Sequence, residues 1–222
     1  MKTLKTWAAA AAIVTLSGAS QAALVDRGGG MIYDSVQNIT WLKNWDTNNG
    51  DMNWSTANAW AENLVYGGFS DWRLPTAHRA DGRGECFVDP CTGIDSDGNL
   101  TRNEMGYLFY NYVGGKLGTL VTDPTGDTAL EIANFALFTN LRADDFWSGS
   151  EYLADPGSDA WRFDMFLGRN GVESKFQTYH AVAVRPGDVA ASAAAVPEPQ
   201  SLALALLALG AVVATRRSTR WP

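Results

Sequence analysis

Histidine and cysteine are scarce in this 222-residue chain, which has two of each: His78, His180, Cys86 and Cys91. No G-x-S-x-G turn occurs, so the sequence indicates neither a Ser-His-Asp nor a Cys-His nucleophile. Two thiols and the nearby His78 also fall short of the four ligands that a structural zinc ion requires. We therefore expect no catalytic residue, no metal ligand and no cofactor.

Basic residues are few as well, and they are unevenly placed. All 24 acidic residues lie between Asp26 and Glu198. Five of the 17 basic residues lie in the two ends, at Lys2, Lys5, Arg216, Arg217 and Arg220. The middle of the chain thus has 12 basic and 24 acidic residues, a net charge of −12. Because an acidic body repels phosphate backbones, nucleic acid is excluded as a general partner.

Aromatic side chains, in contrast, are abundant. The chain has nine Trp, nine Phe and seven Tyr, and 46% of its residues are hydrophobic. This composition is too apolar for intrinsic disorder and predicts a packed core. The length allows one ordinary domain with targeting segments at its ends.

The first 22 residues have the pattern of a secretory signal peptide. Lys2 and Lys5 form a positive region, residues 7–16 form an apolar stretch, and the end of the segment has a small-x-small cleavage site. We expect cleavage after Ala22. The apolar stretch is shorter than the roughly 20 residues of a membrane span, which favours export over permanent anchoring.

The C-terminal end has three parts in a fixed order. Residues 190–196 form a linker of small residues, and residues 202–214 form an apolar run. The tripeptide Pro197-Glu198-Pro199 lies between the linker and the apolar run, and Arg216 and Arg217 follow the run. The two prolines keep the tripeptide extended, and the arginines favour a cytoplasmic end by the positive-inside rule.

Residues 197–222 resemble the PEP-CTERM sorting signal of bacterial envelope proteins: a Pro-Glu-Pro tripeptide, a hydrophobic helix and a basic cluster. The resemblance implies recognition by an exosortase, a membrane-embedded processing enzyme that would remove the tail. An uncut C-terminal anchor is the alternative. The apolar run of 13 residues is short for a membrane span.

Residues 23–189 are predicted to form one α+β domain. The pattern predicts strands over residues 31–34, 38–42, 146–148, 160–166 and 181–185, with turns at 155–157 and 168–171. It predicts two helices: one that Ser55 caps, and one that Thr101 caps with Glu104 completing a capping box. Helices followed by a meander of strands favour α+β over a parallel sheet.

Three sequence fingerprints mark this domain. Residues 67–76 read GGFSDWRLPT, and residues 146–152 and 183–188 read FWSGSEY and AVRPGD. Over residues 30–188 the chain resembles the Lcl C-terminal domain family. The resemblance implies a C-type-lectin-like fold and an adhesive or ligand-binding role without enzyme activity. The related formylglycine-generating enzymes need cysteines late in the domain, which this chain lacks.

Most fingerprint residues have a structural interpretation. We expect Asp71 to cap backbone donors, Trp72 to pack in the core and Arg73 to pair with a buried carboxylate. Trp147 and Trp161 are predicted to be core residues, with stacking on a sugar ring as the alternative.

Residues 77–99 form an insertion relative to the typical family pattern. Cys86 and Cys91 lie in it with a C-x4-C spacing, and the expected oxidising compartment predicts a disulfide between them. Residues 95–99 resemble the start of a calcium loop, but the EF-hand register is wrong, so a polar turn is predicted. Calcium held by Asp95, Asp97 and Asn99 is the alternative.

Together these features predict an exported protein of the cell envelope or extracellular matrix, anchored in the inner membrane until it is processed. We expect its domain to bind an extracellular glycan or protein. The alternatives are a secreted hydrolase that works through paired carboxylates and a purely structural matrix protein.

Overall fold

The computed structural model of this chain describes residues 23–46 and 50–189. The predicted signal peptide with Ala22, the linker and the sorting segment with its tripeptide and arginines lie outside the described residues. Within the described part of the chain, every helix is too short or too polar to span a bilayer.

A four-stranded antiparallel sheet joins the two ends of the domain. Its strands are β1 (Leu24–Asp26), β2 (Met31–Asp34), β3 (Ile39–Leu42) and β9 (Val184–Pro186), in the order β1-β2-β3-β9. The last strand pairs with β3 through the register Thr40↔Arg185. An ion pair between Arg27 and Asp188 also links the ends, with a distance of 3.0 Å from Nε to Oδ1.

A second antiparallel sheet follows the helices in sequence. It has the order β5-β6-β7, with β5 at Asp145–Glu151, β6 at Asp159–Asp164 and β7 at Arg169–Ser174. The short strands β4 (Met52–Asn53) and β8 (Thr178–Tyr179) form a separate pair. Strand β7 begins inside the predicted 168–171 turn. The sequence did not predict this strand, because its largely polar residues give no clear two-residue alternation.

The described residues contain three helices: α1 (Trp54–Glu62), α2 (Glu104–Asn111) and α3 (Ala129–Phe135). These helices, together with the antiparallel sheets, confirm the predicted α+β class. The expectation of two helices was wrong, since α3 was missed. Its N-terminus has a capping box between Thr128 and Glu131, a pattern that is visible in the sequence.

Both predicted helix caps are displaced by two residues. The N-cap of α1 is Asn53, whose side chain accepts from the Thr56 amide at 2.9 Å, and not Ser55. The N-cap of α2 is Asn103, whose side chain accepts from the Gly106 amide at 3.1 Å, and not Thr101. Asparagine caps a helix about as well as serine or threonine, so local preference could not decide between neighbouring candidates.

Tryptophan fills the centre of the domain. Trp41, Trp45 and Trp147 are fully buried, and the rings of Trp41 and Trp45 stack with centroids 5.7 Å apart. Trp161 is also buried, as is Trp72. The core placement predicted for Trp72, Trp147 and Trp161 is therefore confirmed.

Arg73 pairs with a buried carboxylate, as predicted, and the partner is Glu104. Two guanidinium nitrogens donate to the two Glu104 oxygens, each at 2.8 Å, and the Thr76 amide donates to the same carboxylate at 2.8 Å. Glu104 is 1% exposed. It therefore serves a long-range ion pair and does not complete the predicted capping box.

Replacing Arg73 by alanine should destabilise the protein strongly, because Glu104 would keep a buried charge without its cation. Breaking a buried pair from one side costs about 3–5 kcal/mol, and the partial exposure of Arg73 favours the lower end. Urea denaturation measures the free energy of unfolding. Arg83→Ala is the matched control, since the pair of exposed Arg83 with Asp81 is worth at most about 1 kcal/mol. Equal losses in the two variants would contradict this prediction.

Candidate functional site

A cleft among the described residues has a volume of about 700 Å³. One wall is helix α1, the second is the end of strand β5 with the residues after it, and the third is the start of the insertion. Its lining residues are Trp54, Ser55, Asn58, Ala59, Glu62, Thr76, His78, Ala80, Gly149, Ser150, Glu151 and Leu153.

The α1 wall is one continuous face of the helix. Its members Trp54, Ser55, Asn58, Ala59 and Glu62 recur at the three-to-four-residue spacing that places side chains on the same side. With a rise of 1.5 Å per residue, this face is about 12 Å long. Since both the first and the last residue of α1 line the cleft, the whole length of the helix borders the cleft.

Trp54 is held in position by contacts within the fold. Its indole nitrogen donates to the Ser148 carbonyl at 2.8 Å. The Lys175 ammonium lies 4.1 Å from the ring centroid, in cation–π geometry. Lys175 in turn donates to Glu151 and to the Pro156 carbonyl, both at 2.6 Å. The cleft therefore has one fixed aromatic ring at the N-terminal end of α1.

The edge of strand β5 beside the cleft is already hydrogen-bonded. The Gly149 amide donates to the Pro75 carbonyl at 2.8 Å, and the Trp147 amide donates to the His180 carbonyl at 2.9 Å. The Glu151 carbonyl lies 3.2 Å from the His78 ring nitrogen Nε2. These backbone groups are therefore not available to an added strand.

The insertion supplies the third wall through His78 and Ala80. His78 is buried, and its Nδ1 lies 2.7 Å from the Arg79 carbonyl. Both ring nitrogens therefore face backbone carbonyl groups of the fold, which agrees with a structural role. The expected disulfide is confirmed, since Cys86 and Cys91 are bonded.

The disulfide-closed loop exposes apolar side chains. Phe87 is 63% exposed and packs on Trp161 with centroids 5.0 Å apart, and Val88 is 82% exposed. Since Trp161 lies beneath Phe87, it is not an open platform for a sugar ring. No sequence pattern indicated the exposure of Phe87, which depends on how the closed loop lies on Trp161.

The prediction that Asp71 caps backbone donors was wrong. Its carboxylate accepts two hydrogen bonds from the Arg185 guanidinium, at 2.8 and 3.0 Å, and does not cap a turn. These bonds hold the pKa of Asp71 below its ordinary value. The pair joins the first and the last sequence fingerprint, 114 residues apart, which local sequence could not reveal.

The predicted polar turn at residues 95–99 is confirmed. The Asp95 side chain accepts from the amides of Asp97 at 3.0 Å and Asn99 at 2.8 Å. Among residues 23–46 and 50–189, no group of three or more His, Cys, Asp or Glu side chains is arranged to hold a metal ion.

Asp145 has the most unusual carboxyl group outside the cleft. Burial raises its pKa to about 6, although the Arg162 guanidinium, 2.6 Å away, acts in the opposite direction. The nearby carboxylates of Asp164, Asp144 and Glu173 add to the increase. Asp145 does not line the cleft.

Comparison with known proteins adds no assignment: no protein-family model matches the chain, and no curated protein matches it.

Asp145 should give protein stability a distinctive dependence on pH. Between about pH 4 and pH 6, the folded state holds a proton on Asp145 that the unfolded state has released. The contribution of this group to the free energy of unfolding should therefore decrease as the pH rises through that window.

The variant Asp145→Asn removes this titration and should change the slope of stability against pH in the same window. Urea denaturation at a series of pH values measures the slope. Asp97→Asn is the control, because Asp97 is exposed and should leave the slope unchanged. A wild-type slope in the Asp145→Asn variant would contradict the assignment.

Proposed function

We propose that this chain is an exported bacterial envelope protein whose lectin-like domain binds an extracellular glycan in the α1 cleft without catalysing turnover. The observation that carries the proposal is the combination of one fixed indole with a row of hydrogen-bonding side chains along a helix face. Trp54 provides the ring. Ser55, Asn58 and Thr76 each donate one hydrogen bond within the fold, and their side-chain oxygens can still accept hydrogen bonds from a ligand.

A sugar ring matches this combination. It has apolar C–H faces, which pack on aromatic rings, and a polar rim of hydroxyl groups, which exchange hydrogen bonds with side chains. A peptide that binds by strand addition would need a free sheet edge. The backbone groups of β5 at the cleft are already bonded to Pro75, His180 and His78, which favours a glycan over a peptide.

The resemblance to Lcl C-terminal domains supports a C-type-lectin-like fold. The α+β architecture, with the first and last strands in the same sheet, is compatible with such a fold. Fold alone does not define function, so the proposal rests on the cleft.

The side chains of the cleft favour binding over hydrolysis. A glycosidase needs a pair of carboxyl groups that face the scissile bond from two sides. The lining has Glu62 and Glu151, but Glu151 is engaged by Lys175 at 2.6 Å. Asp145, whose pKa is raised to about 6, lies outside the lining.

The ends of the chain support the proposed localisation. The signal-peptide pattern of residues 1–22 predicts export, and the PEP-CTERM pattern of residues 197–222 predicts membrane insertion followed by exosortase processing. The product would be an envelope or matrix component of a bacterium that makes exopolysaccharide.

Filling the cleft should abolish glycan binding. Ala59 is exposed on the α1 wall, so Ala59→Trp should block the cleft at small cost in stability. On a glycan array followed by calorimetry, with and without calcium, the variant should lose the binding that the wild type shows. The control is Ala133→Trp, which adds the same side chain to an exposed position of α3.

Equal binding by both variants would place the ligand elsewhere. Hydrolysis of a bound glycan would move the protein to the hydrolase class. The absence of any ligand for the wild type would favour the structural matrix protein.

Intact-mass spectrometry tests the proposed processing. In a strain with an active exosortase, the mature protein should lack residues 1–22 and should end near Pro197-Glu198-Pro199. A mature protein that retains Arg216 and Arg217 would contradict the sorting proposal.

A further inference from the structure

We infer that the α1 cleft selects glycans with free amino groups, and that Glu62 receives the sugar ammonium. This inference rests on the proposed function and specifies its ligand class. The chemical class is a polymer or oligomer of amino sugars in which some or all of the amines are not acetylated.

The charged side chains of the cleft are all negative at neutral pH. Glu62 and Glu151 line it, whereas no lysine or arginine does. Glu151 is paired with Lys175 at 2.6 Å. Glu62 is exposed and has no ion pair among the described residues, so it is the lining carboxylate that remains free for a ligand.

The position of Glu62 in its helix strengthens the negative potential. Glu62 is the last residue of α1, whose final turn has no basic side chain. The C-terminal end of a helix has a partial negative charge, because the peptide dipoles are aligned along the helix axis. A carboxylate at this end works against helix stability, and a bound ammonium would relieve the repulsion.

Lys175 is unavailable to an anionic ligand. Its ammonium donates to Glu151 and Pro156 and lies over the Trp54 ring. Only 15% of its side chain is exposed. A uronic acid in the cleft would therefore meet Glu62 without a compensating cation, whereas an amino sugar would pair with it.

The net negative charge of the whole domain also favours a cationic ligand over an anionic one. The chain has a net charge of −7, and the excess of acid lies in its middle. Such a field attracts cationic polymers and slows the approach of anionic ones at low ionic strength.

Calorimetry with three hexasaccharides tests the inference. The probes are hexamers of glucosamine, N-acetylglucosamine and galacturonic acid, titrated into the full chain in detergent solution. A mildly acidic pH keeps the sugar amines protonated and exposed carboxylates ionised. We expect the glucosamine hexamer to bind about fivefold more tightly than its acetylated form, the effect of about one partly exposed ion pair.

Two variants assign the preference to Glu62. Glu62→Gln should bind both glucosamine forms equally, and Glu62→Lys should bind the galacturonic acid hexamer better than the glucosamine hexamer. The matched control Asp97→Asn removes the same charge from an exposed turn outside the cleft and should keep the wild-type preference. Urea denaturation of each variant verifies that it is folded.

The outcomes separate the two proposals. The inference is overturned if the wild type binds the glucosamine and N-acetylglucosamine hexamers equally. It is also overturned if Glu62→Gln and Asp97→Asn change the preference between these hexamers by the same factor. Both results leave glycan binding in place. If none of the three hexamers binds, the inference falls; if the glycan array is also blank, the proposed function falls with it.

Discussion

The bidentate pair between Arg73 and Glu104 is the interaction on which the arrangement of this domain depends. Arg73 exchanges two backbone hydrogen bonds with Val184, each 2.8 Å long, and so holds the segment after α1 against the last strand. Its side chain reaches Glu104 at the start of α2. Because Glu104 is 1% exposed, both oxygens need strong donors, which fixes the separation of these elements. One arginine therefore connects the four-stranded sheet, the helix and the segment that leads to the cleft.

The cleft is a direct consequence of this connection. Thr76, which lines it, donates its amide to Glu104 and accepts from the Glu104 amide at 3.0 Å. Pro75, one residue earlier, accepts from Gly149 of β5. The segment 73–76 thus places α2 and β5 at fixed distances from each other, and α1 closes the cleft from the opposite side through the Trp54–Ser148 hydrogen bond. The same hydrogen bonds that define the fold therefore also define the walls of the cleft.

The sequence predicts the features that depend on local patterns. Strands β2 and β3, the buried tryptophans, the disulfide and a buried carboxylate for Arg73 all follow from alternation, composition or spacing. The identity of that carboxylate did not follow, because Glu104 lies three residues after Thr101 and matches a capping box equally well. Asp71 was misassigned for the same reason, since its partner Arg185 is distant in sequence. The cleft could not be predicted at all, because its walls come from three separate segments and depend on tertiary contacts.

Most basic residues of this acidic domain are engaged in ion pairs. Of the 12 basic residues in the middle of the chain, ten form ion pairs within the described residues. Arg73, Arg79 and Arg83, which would otherwise form a basic patch around the insertion, pair with Glu104, Asp95 and Asp81. Arg102 donates to the Gln37 carbonyl at 3.3 Å. The cations therefore stabilise the fold, and the unpaired carboxylates set the potential of the surface. Glu62 lines the cleft against this background, and under the proposed function a ligand would gain more from an ammonium group than from a carboxylate.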